Sequence, residues 1–166
     1  MKKLFVIRHA KSDWGNFTLP DFERPLNERG KTDAPVMAKR LLSKKIKIDA
    51  FISSPAKRAK KTCKLFCKEF HINEDEIIFI DRLYLAPSET FFEVIKTLDD
   101  KYDDIAIFAH NPGVTDFANR LCKNVHIDDM PTCSIFAVES GIENWKDFKE
   151  SGNTFLFFDY PKAAVK

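Results

Sequence analysis

Short apolar runs that stop abruptly at polar residues recur along the chain, with helix-periodic stretches between them. KLFVI at 3–7 is too brief for a typical globular helix and reads as a buried first strand. NERGKTDAPVMAKRLLS at 27–43 puts Val36, Met37, Leu41 and Leu42 at helical spacing, with Asn27 or Thr32 as candidate caps. Pro35 fits that helix only near its start or at a kink. DAFISS at 49–54 predicts a strand feeding a helix over PAKRAKKTCKLFCKEF, where Pro55 suits the first turn and Ala59, Cys63, Phe66, Cys67 and Phe70 form an apolar face.

The alternation continues. IIFI at 77–80 precedes TFFEVIKTL, and IAIFA at 105–109 precedes HNPGVTDFANRLC. Two further strands are expected at 132–138 (TCSIFAV) and 154–160 (TFLFFDY), and PKAAVK reads as a short tail. Strands alternating with helices predict an α/β fold, a layered α/β/α domain around a mostly parallel central sheet. With no repeat or composition break, one domain over 1–166 is expected, its core at about 3–160.

Composition narrows the class. Apolar residues make up 44% and charged residues 31%, the balance of a globular protein, and sixteen phenylalanines predict an aromatic core. Lys and Arg (27) nearly offset Asp and Glu (25), so a nucleic-acid partner is not expected. MKKLFVIRHA has only four apolar residues before Arg8, too few for a signal peptide or membrane span, so cytoplasmic placement and no membrane partner are expected. Cys63, Cys67, Cys122 and Cys133 lack CxxC spacing and are read as reduced thiols. Cys63 and Cys67, one turn apart, have no matching ligand pair nearby and suit packing better than metal.

In such sheets ligands collect at the carboxyl ends of the strands. Arg8 and His9 follow the first strand, Arg58 opens the helix after the second, and His110 follows IAIFA. Two guanidiniums and two imidazoles at one sheet edge would make a cationic pocket for a dianionic phosphoryl group. Helix starts near Pro55 and Pro112 would add backbone N–H donors. No carboxylate cluster of the kind that holds magnesium or calcium is evident, and no cofactor is expected. His9 can accept a phosphoryl group if one ring nitrogen is bare and the other donates to a fixed carbonyl.

VIRHAKSDW at 6–14, SSPAKRAKKT at 53–62 and FAHNPG at 108–113 together resemble the first branch of the histidine phosphatase superfamily, particularly its short SixA-like group. The resemblance covers roughly residues 3 to 160 and departs from the commoner Arg-His-Gly form at Ala10, as SixA-like members do. It implies a phosphoglycerate mutase-like fold and a metal-independent phosphatase. His9 would then become phosphorylated, Arg8 and Arg58 would bind phosphoryl oxygens, and His110 would complete the pocket, with Ser12 and Asn111 as secondary substrate contacts. Lys11 is read as a steering charge, and Trp14 and Phe17 suit either the pocket mouth or packing on the core. His71 and His126 lie outside these segments and receive no role.

Larger members of the family acting on sugar phosphates use a carboxylic acid, for which Glu89 in LAPSETF is the candidate, with helix capping an equal alternative. A phosphohistidine substrate needs such an acid less, because its imidazole leaving group has a reference pKa near 6.5. The short chain also lacks room for the large lid of mutase-like relatives. Protein phosphohistidine is therefore the first expectation, with a phosphorylated protein as partner and a monomer as the oligomeric state. A small sugar or nucleotide phosphate with Glu89 as acid is the alternative. A catalytically silent phosphate-binding module is the alternative from another class.

Overall fold

The structure is a computed structural model and describes residues 1–163. Six strands form one sheet: β1 (Lys2–Arg8), β2 (Ala50–Ser53), β3 (Ile78–Phe79), β4 (Asp104–Ala109), β5 (Ile135–Ser140) and β6 (Asn153–Asp159). Four helices accompany them: α1 (Glu28–Ser43), α2 (Lys57–Glu69), α3 (Ser88–Ile95) and α4 (Gly113–Leu121). The strand order is β3-β2-β4-β1-β5-β6, with β3, β2, β4 and β1 mutually parallel and β5 antiparallel to both of its neighbours.

The period-2 alternation of side chains divides the core into two layers. Leu4 and Val6 of β1 join Phe91, Phe117 and Trp145 on the face covered by α3 and α4. Phe5 and Ile7 join Met37, Leu41 and Phe66 on the face covered by α1 and α2. Aromatic pairs knit each layer: Phe91 stacks on Phe117 with centroids 4.9 Å apart, and Phe66 meets Phe108 edge-on at 5.1 Å. Buried Lys2 is satisfied by the carbonyls of Asp100 and Tyr102 and by Asp103 at 3.0 Å.

Several local expectations change. Asn27 caps α1 by accepting from Gly30 N at 2.9 Å, whereas Thr32 lies inside the helix and donates to the Glu28 carbonyl. Pro35 sits within α1 rather than at its start, where its missing N–H leaves the Lys31 carbonyl without its usual partner. Pro55 precedes α2 instead of lying in its first turn. The strand expected at 77–80 shortens to Ile78–Phe79, because Glu74–Glu76 forms a 3-10 turn immediately before it. The strand expected from 132 begins at Ile135, since Cys133 takes φ 62 and turns its N–H back to the carbonyls of Arg8 and His9. Within the expected tail, Ala163 N closes a turn on the Tyr160 carbonyl, and residues 164–166 lie outside the described residues.

Sheet register positions the chemistry. Arg8 is level with Ala109, and Ser53 with Phe108. The residues that follow these strand ends, His9, Ser54 and His110, therefore emerge side by side from the adjacent strands β1, β2 and β4.

Candidate active site

The structure brings His9, Arg58 and His110 together at the carboxyl edge. His9 and His110 have ring centroids 5.2 Å apart, and both are buried. His9 Nδ1 lies 2.7 Å from the Ala10 carbonyl, an acceptor only, so Nδ1 carries the proton and Nε2 is bare. Arg58 Nε donates to that Nε2 at 3.4 Å. Burial, opposed only by the Ala10 hydrogen bond and reinforced by the charges of Arg58, Arg8 and Arg24, depresses the His9 pKa to about 3. The ring is thus neutral at physiological pH.

His110 Nε2 is 2.7 Å from Ser54 Oγ, which also accepts from Ala56 N at 3.3 Å. The Ser54 hydroxyl keeps both its proton and a second lone pair for His110 Nε2, so either partner can donate across this contact. His110 Nδ1 and Arg8 Nε are both buried without hydrogen-bond partners among the described residues. Arg8 Nε is an orphan donor, and His110 Nδ1 is a second one in the tautomer that protonates it; phosphoryl oxygens would satisfy both. Burial, with the neighbouring His9 and Arg58, pushes the His110 pKa down to about 2. Arg8 is anchored through Nη1, which donates to the Met130 carbonyl at 2.7 Å.

Two positions in the motifs explain how these parts are held. Thr62, one turn after Arg58, donates to the Arg58 carbonyl at 2.7 Å and accepts from Ala10 N at 2.9 Å, bolting the loop after β1 to α2. Gly30 lets α1 approach the same loop, since a Cβ there would stand 2.2 Å from the Lys11 carbonyl oxygen.

The structure also adds residues that sequence reasoning missed. Asp21, in a 3-10 turn, accepts from Arg58 Nη2 at 3.0 Å and from the Tyr84 hydroxyl at 2.5 Å. Burial nudges its pKa upward, but the hydrogen bonds from Tyr84 and Arg58 and the Arg58 charge outweigh this and hold it at about 2. Tyr84 packs edge-on to His110 with centroids 5.5 Å apart. Asp21 and Tyr84 belong to irregular segments with no periodicity, while Ser54 stood within SSPAKRAKKT and could have been singled out for its place beside a strand end.

The secondary candidates are otherwise occupied. Ser12 Oγ accepts from Arg24, whose guanidinium lies 3.6 Å from the Trp14 ring centre. Asn111 donates to Asp129 at 2.7 Å and to the Met130 carbonyl at 3.3 Å, and accepts from Thr115 at 2.6 Å. Glu89 is not brought to the pocket: its carboxylate takes Arg120, in the last turn of α4, at 2.7 Å. Phe17 is 94% exposed, so it is not packed on the core. Exposed His126 faces Asp128. All four cysteines are free and buried, and no group of three or more His, Cys, Asp or Glu able to hold a metal occurs among the described residues. No described helix is long and apolar enough to cross a membrane.

Comparison with known proteins agrees with this geometry. Residues 4–84 match the model of the histidine phosphatase superfamily, branch 1. An uncharacterized chloroplastic protein of Arabidopsis thaliana is 27% identical over 154 residues, 88% of this chain and 70% of that one. A structure from Agrobacterium tumefaciens assigned as phosphohistidine phosphatase SixA shares the fold, with a TM-score of 0.80 at 23% identity over 96% of this chain and 98% of that one. A protein histidine phosphatase SixA complexed with tungstate superposes with a TM-score of 0.79 at 21% identity, covering 96% and 97%. A phosphoserine phosphatase of Entamoeba histolytica superposes at 0.67 and 13% identity, covering 98% of each chain. The matched span contains Arg8, His9 and Arg58 on the strands and helix that carry them, and the fold beyond it supplies His110 on the neighbouring strand. The match and the shared fold make the histidine phosphatase superfamily, branch 1, the family that this chain is similar to.

Proposed function

We propose that the protein removes phosphoryl groups from phosphohistidine on proteins, through a phosphorylated His9. His9 Nε2 attacks phosphorus as the bond to the substrate's imidazole nitrogen breaks, and the bonding pair stays on that nitrogen, so that a substrate ring already protonated at its other nitrogen leaves as neutral imidazole. Arg8, Arg58 and His110 hold the equatorial oxygens while charge spreads over them. Water then attacks the phosphorylated His9, releasing phosphate and restoring the bare Nε2. The Nδ1 proton stays on the Ala10 carbonyl throughout, so the ring keeps its orientation.

The observation that carries the substrate class is the state of the pocket's carboxylate. Asp21 is held ionised by Arg58 and Tyr84, and Glu89 is held elsewhere by Arg120. Neither is a ready proton donor for an alkoxide, whereas a phosphohistidine that carries a proton on its other ring nitrogen releases neutral imidazole with no donor at the leaving nitrogen. Two of the fold relatives are named as phosphohistidine phosphatases. A second reading, hydrolysis of a small phosphomonoester, is favoured by one feature: an arriving phosphoryl group competes with Asp21 for Arg58, and a released Asp21 could then take up and deliver a proton.

Phosphate release is to be measured from a histidine-phosphorylated protein and from phosphoserine side by side, with chelator present. Preference for phosphohistidine, with loss of more than about a thousandfold in His9→Ala, is expected for removal of a covalent nucleophile. Preference for phosphoserine, lost in Asp21→Asn, would establish the second reading instead.

A further inference from the structure

Beside the catalytic pocket lies a separate cleft of about 650 Å³, and it shares three chain segments with that pocket. Phe22 follows Asp21, Pro55 follows Ser54, and Lys57 precedes Arg58. Anything seated in the cleft is therefore within a few residues' span of His9.

The walls are unusually charged for a chain with a formal net charge of only +2. Lys31, Lys57, Lys60, Lys61 and Lys64 line the cleft against a single carboxylate, Glu23. Lys31 is paired with Glu28 and Lys64 with Glu74, but Lys57, Lys60 and Lys61 form no salt bridge among the described residues. All three are exposed and rise from successive turns of the helix that carries Arg58. The remaining lining is apolar, supplied by Phe22, Pro25, Leu26 and Pro55.

We propose that this cleft docks an acidic, partly apolar protein segment flanking the substrate's phosphohistidine, an inference that rests on the phosphohistidine reading above. The unpaired lysines receive the carboxylates, and the Phe22–Leu26 wall receives the apolar side chains between them. A protein segment fits better than a nucleic acid. The substrate's phosphohistidine is itself carried on a protein, and the Phe22 ring is partly taken up by its edge-on contact with Tyr84, with centroids 5.0 Å apart. Docking also bears on the 3-10 turn Asp21–Glu23, so the segment contacts the element that holds Asp21 against Arg58.

The test uses two phosphohistidine peptides of equal length, one flanked by Asp, Glu and Leu and the other by Ser and Gly, with p-nitrophenyl phosphate as a third substrate. The parent is expected to show a kcat/KM at least tenfold higher for the acidic peptide, carried by KM and shrinking as salt is raised. A Lys60→Glu, Lys61→Glu double variant should erase that preference while leaving turnover of the neutral peptide and of p-nitrophenyl phosphate within twofold. Equal turnover of both peptides by the parent would overturn the docking site and leave the phosphohistidine reading intact. Turnover of p-nitrophenyl phosphate with neither peptide touched would overturn the reading itself, and docking with it. Tighter binding of a fluorescent single-stranded oligonucleotide than of the acidic peptide, lost in the double variant, would assign the cleft to nucleic acid and refute the proposal.

Discussion

Asp21 is the residue whose substitution says most about the pocket. Its carboxylate sits on the same guanidinium that a phosphoryl group needs, so it acts as a resident competitor for Arg58. Removing one like charge near a dianion is worth about 1 kcal/mol even at the dielectric of water, about fivefold in binding. Asp21→Asn is expected to lower KM for a phosphohistidine peptide by at least about fivefold with kcat kept within twofold, as read from steady-state phosphate release. A collapse of kcat at unchanged KM would instead make Asp21 a proton donor. At this scale the legibility of the site followed chemistry. His9, Arg8, Arg58 and His110 stood out because a rare residue type occurred at a strand end or helix start. Asp21 and Tyr84 lie on irregular turns whose path no spacing rule foretells, and their meeting with Arg58 is wholly tertiary. Glu89 is the acid candidate that the resemblance to larger members acting on sugar phosphates offers, and its carboxylate is held by Arg120.

Glycines at two helix starts show how whole elements set the pocket's dimensions. Gly30 opens α1 against the loop after β1, and Gly113 opens α4 with a Cβ position 1.8 Å from the Ala86 carbonyl oxygen. Alanine ordinarily favours a helix over glycine by about 1 kcal/mol, but these contacts are with backbone and cannot turn aside. Gly30→Ala and Gly113→Ala should each lower stability by about 1 to 3 kcal/mol in urea unfolding, the usual cost of overpacking, and should lower kcat/KM as well. Gly141→Ala, with nothing within 4 Å of its added carbon, is the control expected to change neither. Elements with strong periodicity, such as α2 and β1, were readable because their apolar positions matched one period throughout. β3 was overestimated because an apolar run does not reveal that a neighbouring turn ends its ladder after two residues. Pro35 lies half-buried inside α1, a place that its cost to a helix interior does not announce.

Over the whole molecule the two buried imidazoles make stability depend on pH. Both are neutral in the folded protein, with pKa values lowered by burial to about 3 for His9 and about 2 for His110, against about 6.5 when unfolded. Below pH 6.5 the unfolded chain therefore binds two protons that the folded chain refuses, so stability is full above that pH and falls as pH falls. Between pH 7.5 and 5.5 each histidine is expected to withdraw about 1.4 kcal/mol, roughly 2.7 kcal/mol together, a substantial share of the 5 to 15 kcal/mol typical of a domain. Asp21 adds a loss of the same sign at lower pH, because its depressed pKa contributes stability above about 3.8 that disappears as pH falls toward about 2. Urea unfolding at pH 7.5 and 5.5 measures the difference. His110→Gln should roughly halve it. Saturating inorganic phosphate should flatten the dependence further, since an anion beside His9 and His110 favours their protonated forms and removes part of the penalty. A parent protein with equal stability at both pH values would mean that these imidazoles are not held neutral, and the bare Nε2 that the proposed attack by His9 needs would have to be supplied another way.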